Sequence, residues 1–163
     1  MINKAVIMAG GEGVRLRPLT YVVPKPLLPL GSYTVAEHII RQIAENGIKE
    51  IFILVSYQHE KFDICLDYGR KYGINIRVIK EKGRLGTIGG LINIKNDLDA
   101  PFLLSNGDII AKVNIQEMYA KHKQENAMIT LGVKDYSVQI PYGVLEFDIN
   151  GDFTNREISQ ITQ

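Results

Sequence analysis

Residues 5–20, Ala5-Val6-Ile7-Met8-Ala9-Gly10-Gly11-Glu12-Gly13-Val14-Arg15-Leu16-Arg17-Pro18-Leu19-Thr20, decide the fold. The apolar run 5–8 reads as a buried strand, and the glycines that follow end it abruptly. Three glycines in four positions let the backbone turn sharply and approach a ligand where any Cβ would collide. Exposed N–H groups in such a turn form an anion-binding concavity. Arg15 and Arg17 add fixed positive charge, and a guanidinium forks onto phosphate oxygens. Taken alone, the segment also fits a purely structural turn. Two familiar phosphate loops are excluded: Leu16 stands where a dinucleotide fingerprint needs its third glycine, and no Gly-Lys-Ser/Thr follows. Pro18 blocks an uninterrupted helix after the turn.

Outward from this stretch, short apolar runs alternate with helical patterns. Helices are predicted over 35–46, 60–72, 86–95 and 115–125, the first two closed by Gly47 and Gly73. Strands are predicted over 51–55, 74–79, 101–105 and 128–133. The alternation implies βαβ units. The fold class is α/β, a Rossmann-like, mostly parallel sheet with helices on both faces. Residues 142–155 around Asn150-Gly151 add an antiparallel hairpin, predicted with a type I′ turn. Ligands in open sheets of this kind sit outside the carboxyl ends of the strands, which selects residues 9–20, 80–87 and 105–109.

Composition narrows the class. The 163 residues fit one domain, 1–163, with 45% hydrophobic and 23% charged residues as in soluble globular proteins. A net charge of +1 supplies no field for a nucleic-acid or membrane partner. The single Cys65 excludes an intrachain disulfide and a Cys-rich zinc site, and reads as a buried inert thiol. His38, His59 and His122 have no metal-ligand spacing. No secretory leader or long apolar span is present, so the expected setting is cytoplasmic.

A second unusual segment, Pro24-Lys25-Pro26-Leu27-Leu28-Pro29-Leu30-Gly31, holds Lys25 in extended backbone between prolines. The glycine segment with this Pro-Lys-Pro resembles the opening of the sugar-1-phosphate nucleotidylyltransferase family. Glu81 with Leu85-Gly86-Thr87, Asn106-Gly107-Asp108, and residues 139–146 (Gln-Ile-Pro-Tyr-Gly-Val-Leu-Glu) resemble later motifs of that family in the expected order. The pattern is closest to mannose-1-phosphate guanylyltransferase-like and CBS-domain-linked members.

The resemblance implies transfer of a nucleotidyl group from an NTP to a sugar 1-phosphate, with pyrophosphate leaving. Ala9, Gly10, Gly11 and Gly13 would bring backbone amides to base and phosphates, and Arg15 would hold the departing phosphates. Lys25 would bind the α-phosphate or the sugar phosphate, and Asp108 would be a ligand for Mg2+. Asn106 would either touch ligand or cap its turn. Glu81 and Gly86 resemble base-contacting positions, and Gly143 one facing the sugar. A carboxylate only accepts hydrogen bonds, and guanine offers two adjacent donors, so Glu81 favours GTP.

Some positions depart from the family pattern. Val14 replaces a threonine, Ser32-Tyr33-Thr34 replaces Gly-Lys-Pro, and Arg84 replaces a proline. Ile88 replaces an alanine and is expected to narrow the base pocket. Family members continue past the hairpin with Glu-Lys-Pro, Asn-Ala-Gly-Ile and a second metal-binding aspartate, whereas this sequence stops at Gln163. The expectation is a fragment of a longer enzyme, or a shorter relative that binds or senses nucleotide without turnover. An unpaired sheet edge then predicts association with another copy or with a missing segment.

Overall fold

The computed structural model describes residues 1–81, 83, 86, 88–135, 137–139, 144–157 and 160–162. Along the chain lie β1 (Lys4–Met8), α1 (Leu19–Val22), β2 (Pro29–Leu30), β3 (Tyr33–Thr34), α2 (Val35–Glu45) and β4 (Glu50–Val55). Then come α3 (Ile64–Tyr72), β5 (Asn75–Lys80), β6 (Leu103–Asn106), α4 (Ile115–Gln124), β7 (Ser137–Gln139), β8 (Val144–Phe147), β9 (Phe153–Glu157) and β10 (Gln160–Thr162). Two compact units divide them, Met1–Met128 and Ile129–Gln163.

In the first unit, β1, β4, β5 and β6 form a parallel sheet in the order β5-β4-β1-β6. The two inner strands are apolar and buried at Ala5–Ile7 and Ile51–Val55, as expected of strands covered on both faces, whereas the outer strands carry polar residues, Arg77 in β5 and Ser105 in β6. One face packs on α2, α3 and α4 in a cluster that includes Ala5, Ile7, Ile40, Ile51, Ile53, Cys65 and Ile115. Full burial of a side chain such as Ile40 contributes about 1.5–3 kcal/mol. The other face, through Val6, Phe52 and Leu54, packs on Ile94.

That second cover is a 3-10 segment, Gly89–Asp97, and not the α-helix expected over 86–95. Gly89 and Gly90 are poor helix formers, and the Asn93 side chain donates to the Gly90 carbonyl at 3.1 Å, competing with helical pairing. Lys4 fastens the segment by donating to the Asp97 carbonyl and pairing with Asp99. The helix expected over 60–72 likewise opens with a 3-10 turn, His59–Asp63, before α3.

Helix α2 has a local cause at each end. The Thr34 hydroxyl accepts from the Glu37 amide at 3.1 Å, a capping bond, so the departure at 32–34 supplies the helix start. Gly47 beyond its end takes positive φ, as does Gly73 beyond α3.

Residues 128–133 do not form the expected strand. Among the described residues they lie outside regular secondary structure, and Met128, Ile129, Leu131 and Val133 are 76–98% exposed. An apolar run becomes a strand only when another strand satisfies its backbone.

In the second unit, β8 pairs antiparallel with β9, and β7 with β10. The hairpin turn is not type I′. Gly151 donates to the Asp148 carbonyl, Gly151 takes positive φ and Asn150 does not. This is the three-residue form, a turn closed by a left-handed glycine. Asp148 stabilises it by accepting from the amides of Asn150 and Asp152 at 2.8 and 2.9 Å. Among the described residues, no helix is long and apolar enough to cross a membrane.

Candidate functional site

The parallel register aligns the carboxyl ends of the strands. Met8 lies opposite Leu54 and Asn106, and Val55 opposite Lys80. The ladder runs one bond further on each strand: Ala9 N–H donates to Leu54 O, Gly107 N–H to Met8 O, and Glu81 N–H to Val55 O. The four strands therefore deliver Gly10, Ser56, Glu81 and Asp108 to one edge. A cleft of about 1020 Å³ opens there.

Nearly every residue singled out from sequence lines this cleft: Ala9, Gly10, Gly11, Gly13, Arg15, Lys25, Glu81, Gly86, Asn106 and Asp108. Gly143, with Leu85, Thr87 and Arg84, lies outside the described residues. Lys25 opens a 3-10 turn, Lys25–Leu27, and does not lie in the extended backbone expected of it; its Nζ pairs with Oδ2 of Asp108 at 2.5 Å. Asn106 faces the cleft and makes no side-chain hydrogen bond among the described residues, so it does not cap its turn. Arg17 does not line the cleft; it pairs with Glu12 at 3.1 Å and lies over the Tyr21 ring. Arg15 is exposed and makes no side-chain bond among the described residues. Ile88 is 59% exposed and does not line the cleft, so it does not narrow the pocket.

The cleft is closely fitted around Glu81. A Cβ on Gly90 would stand 1.9 Å from Oε1 of Glu81, and one on Gly10 would stand 2.6 Å from Oε2. Two bare glycines thus make the slot that holds this carboxylate. Among the described residues no donor meets it, and burial alone pushes its carboxyl above the ordinary carboxylate range.

Sequence reading missed Ser56 and Tyr57 in the lining. Ser56 and Tyr57 follow β4, and applying the strand-end rule to all four strands would have found them. Cys65 is fully buried, and its thiol is pushed up to about 12, first by desolvation. The histidines are occupied elsewhere: His38 on the Leu30 carbonyl, His59 on Glu60, and His122 stacked on Tyr119.

Among the described residues no group of three His, Cys, Asp or Glu side chains could cage a metal. Asp108 alone fits a different arrangement, because magnesium commonly binds through one or two carboxylates with ligand phosphates completing its shell.

The family described as Nucleotidyl transferase matches residues 4–162. The chain belongs to the nucleotidyl transferase family. Its relatives include the mannose-1-phosphate guanyltransferase of Yarrowia lipolytica, 36% identical over 146 residues, covering 87% of this chain and 40% of that protein. The probable mannose-1-phosphate guanylyltransferase 1 of Oryza sativa subsp. japonica is 33% identical over 162 residues, covering 96% of this chain and 45% of that protein. The chain thus spans less than half the length of these curated relatives. Among solved structures, HddC from Yersinia pseudotuberculosis, complexed with GMP-PN, shares the fold with a TM-score of 0.67 at 22% identity, covering 95% of this chain and 68% of that one. UDP-glucose pyrophosphorylase complexed with UDP-glucose gives 0.65 at 17%, over 77% of this chain and 55% of that one.

Proposed function

We propose that this chain is the nucleotide-binding part of an enzyme that transfers NMP from an NTP, with GTP favoured, to a sugar 1-phosphate. The observation that carries the reading is the convergence, in one cleft, of the glycine loop, the Lys25–Asp108 pair and the unpartnered Glu81 carboxylate. Membership of the nucleotidyl transferase family supports the reaction class, and relatives named as guanyltransferases support the base.

In this reaction an oxygen of the sugar phosphate attacks the α-phosphorus, and pyrophosphate leaves in line. Both reactants are anions, so the protein must neutralise their repulsion and hold their geometry. The glycine-loop amides and Arg15 hold the β- and γ-phosphates. Lys25 releases Asp108 and moves onto the phosphate where charge accumulates. Asp108 would hold Mg2+, which when bound would screen the phosphate oxygens. Glu81 accepts from the two adjacent N–H groups of guanine, and this relieves the cost of its burial.

The test is pyrophosphate release from each NTP with a panel of sugar 1-phosphates, on this chain and on the longest protein that contains it, with calorimetric titration of each NTP. GTP-dependent release requiring Mg2+ supports the reading, and absence of any NTP binding defeats it. A second reading is a nucleotide-sensing module without turnover. GTP binding with no pyrophosphate release in any protein form would select it.

A further inference from the structure

The glycine loop is held partly by its own turn, in which the Gly13 carbonyl accepts from the Leu16 amide at 2.9 Å, and partly by two hydroxyls from outside it. Gly13 has φ +63, and a Cβ there would stand 2.8 Å from Cγ2 of Thr20. The Thr20 hydroxyl donates to the Gly13 carbonyl at 3.0 Å. On the other side of the loop, the Ser56 hydroxyl donates to the Gly10 carbonyl at 2.6 Å. Thr20 is 1% exposed, one of two buried polar residues among those described. A buried hydroxyl requires a partner, and this one bonds the loop.

Thr20 is itself held from behind. It sits in α1, whose last carbonyls accept from side chains of the turn after β4: Tyr21 O from Gln58, at 2.9 Å, and Val22 O from Lys61. Ser56 begins that same turn. One turn therefore fastens the loop twice, directly through Ser56 and indirectly through α1 and Thr20. Both hydroxyls take carbonyls. The amides of Gly11, Gly13 and Val14 keep no intramolecular partner among the described residues, and they border the cleft. Anion recognition by backbone amides needs the competing carbonyl dipoles directed elsewhere.

We infer that Thr20 and Ser56 are positioning residues. They hold the carbonyls of Gly13 and Gly10 so that the loop amides are pre-arranged for the nucleoside triphosphate. Neither hydroxyl need touch the ligand. The inference rests on the nucleotide-binding reading above and adds what presets the loop.

The test compares Thr20→Val, Thr20→Ser and Ser56→Ala with the unaltered chain, using GTP as the calorimetric probe and thermal denaturation in parallel. Thr20→Val and Ser56→Ala should each weaken GTP by about three- to tenfold, the scale of one lost hydrogen bond, and Thr20→Ser should return to within about twofold of the unaltered chain. In the longest active form the loss should fall on KM for the NTP, with KM for the sugar phosphate unmoved. A role in stability alone would lower the melting temperature and leave affinity unchanged, and that result overturns the inference. Equal impairment of Thr20→Val and Thr20→Ser overturns the part of the hydroxyl. Thr20 is buried, so Ser56→Ala, at an exposed site, decides the matter if Thr20→Val does not fold. An unaltered chain that binds no NTP defeats the proposed function and this inference together; normal binding with indifferent variants defeats only this inference.

Discussion

Lys25 and Asp108 are separated by 83 positions in the sequence, yet their side chains meet at 2.5 Å, Nζ to Oδ2, inside the cleft. Their side chains are 39% and 38% exposed, so solvent screens the pair and it adds little stability, about 0–1 kcal/mol. An ion pair so weakly committed exchanges readily. In the proposed reaction a phosphate would replace Asp108 on the ammonium, and a cation would replace Lys25 on the carboxylate.

Asp108→Asn should therefore strengthen triphosphate binding in chelator while abolishing the gain that Mg2+ gives the unaltered chain. Turnover of the longest active form should fall by roughly a hundredfold or more, the scale of losing one charge-stabilising group. The melting temperature should hardly move. Calorimetry with and without chelator reads the first effect, and an unchanged Mg2+ dependence would refute the assignment.

Among the described residues Arg15 has no partner, and it lines the cleft, which leaves its guanidinium available to a phosphate. Arg15→Ala should weaken GTP binding by about 1.5–3 kcal/mol, and GMP much less, if the guanidinium holds the outer phosphates. Equal losses for GTP and GMP would place Arg15 elsewhere on the ligand.

Burial raises the Glu81 carboxyl above its ordinary range, so the folded chain holds that proton more tightly than the unfolded one. The sign follows. Its stabilising contribution is full below the unfolded value and is lost as pH rises through the folded one. Glu81→Gln should raise the melting temperature near neutral pH and lose that gain in acid. Guanine requires the ionised form, so GTP affinity should rise with pH across the same window in the unaltered chain and stay flat in Glu81→Gln. Gly90→Ala, whose Cβ would fall 1.9 Å from Oε1, should reduce the preference for GTP by displacing the carboxylate. Gly132→Ala meets nothing within 4 Å and serves as the control. A GTP preference that survives both Glu81→Gln and Gly90→Ala would remove Glu81 from base recognition.

Glu37 joins α2 to α3 by accepting from Lys71 at 2.7 Å and Tyr72 at 2.9 Å. Burial pushes its carboxyl up, but the bonds from Lys71 and Tyr72 outweigh it and leave it below the ordinary range. Its contribution is therefore present above the unfolded value and is lost as pH falls through the depressed folded one. Glu37→Gln should cost about 1 kcal/mol at neutral pH and progressively less in acid, with nucleotide affinity unchanged. Denaturant titration at several pH values checks this, and a cost independent of pH would show that charge is not the cause.

The sequence by itself determined what local chemistry can encode. The apolar run 5–8 and its glycines made strand and turn legible, and the spacing of apolar residues made α2 legible. Nearly all the site residues proposed from motifs do line one cleft. Where local signals were weak they misled: glycines and an asparagine side chain made 3-10 helix of 89–97, and the apolar run over 128–133 formed no strand. Only the tertiary structure decided the strand order, the meeting of Lys25 with Asp108, the fit of Gly90 against Glu81, and the grip of Thr20 and Ser56 on the loop. The physical reason is range. Periodicity, caps and turns act over a few residues, whereas these contacts join chain segments that meet only once the sheet has chosen its neighbours.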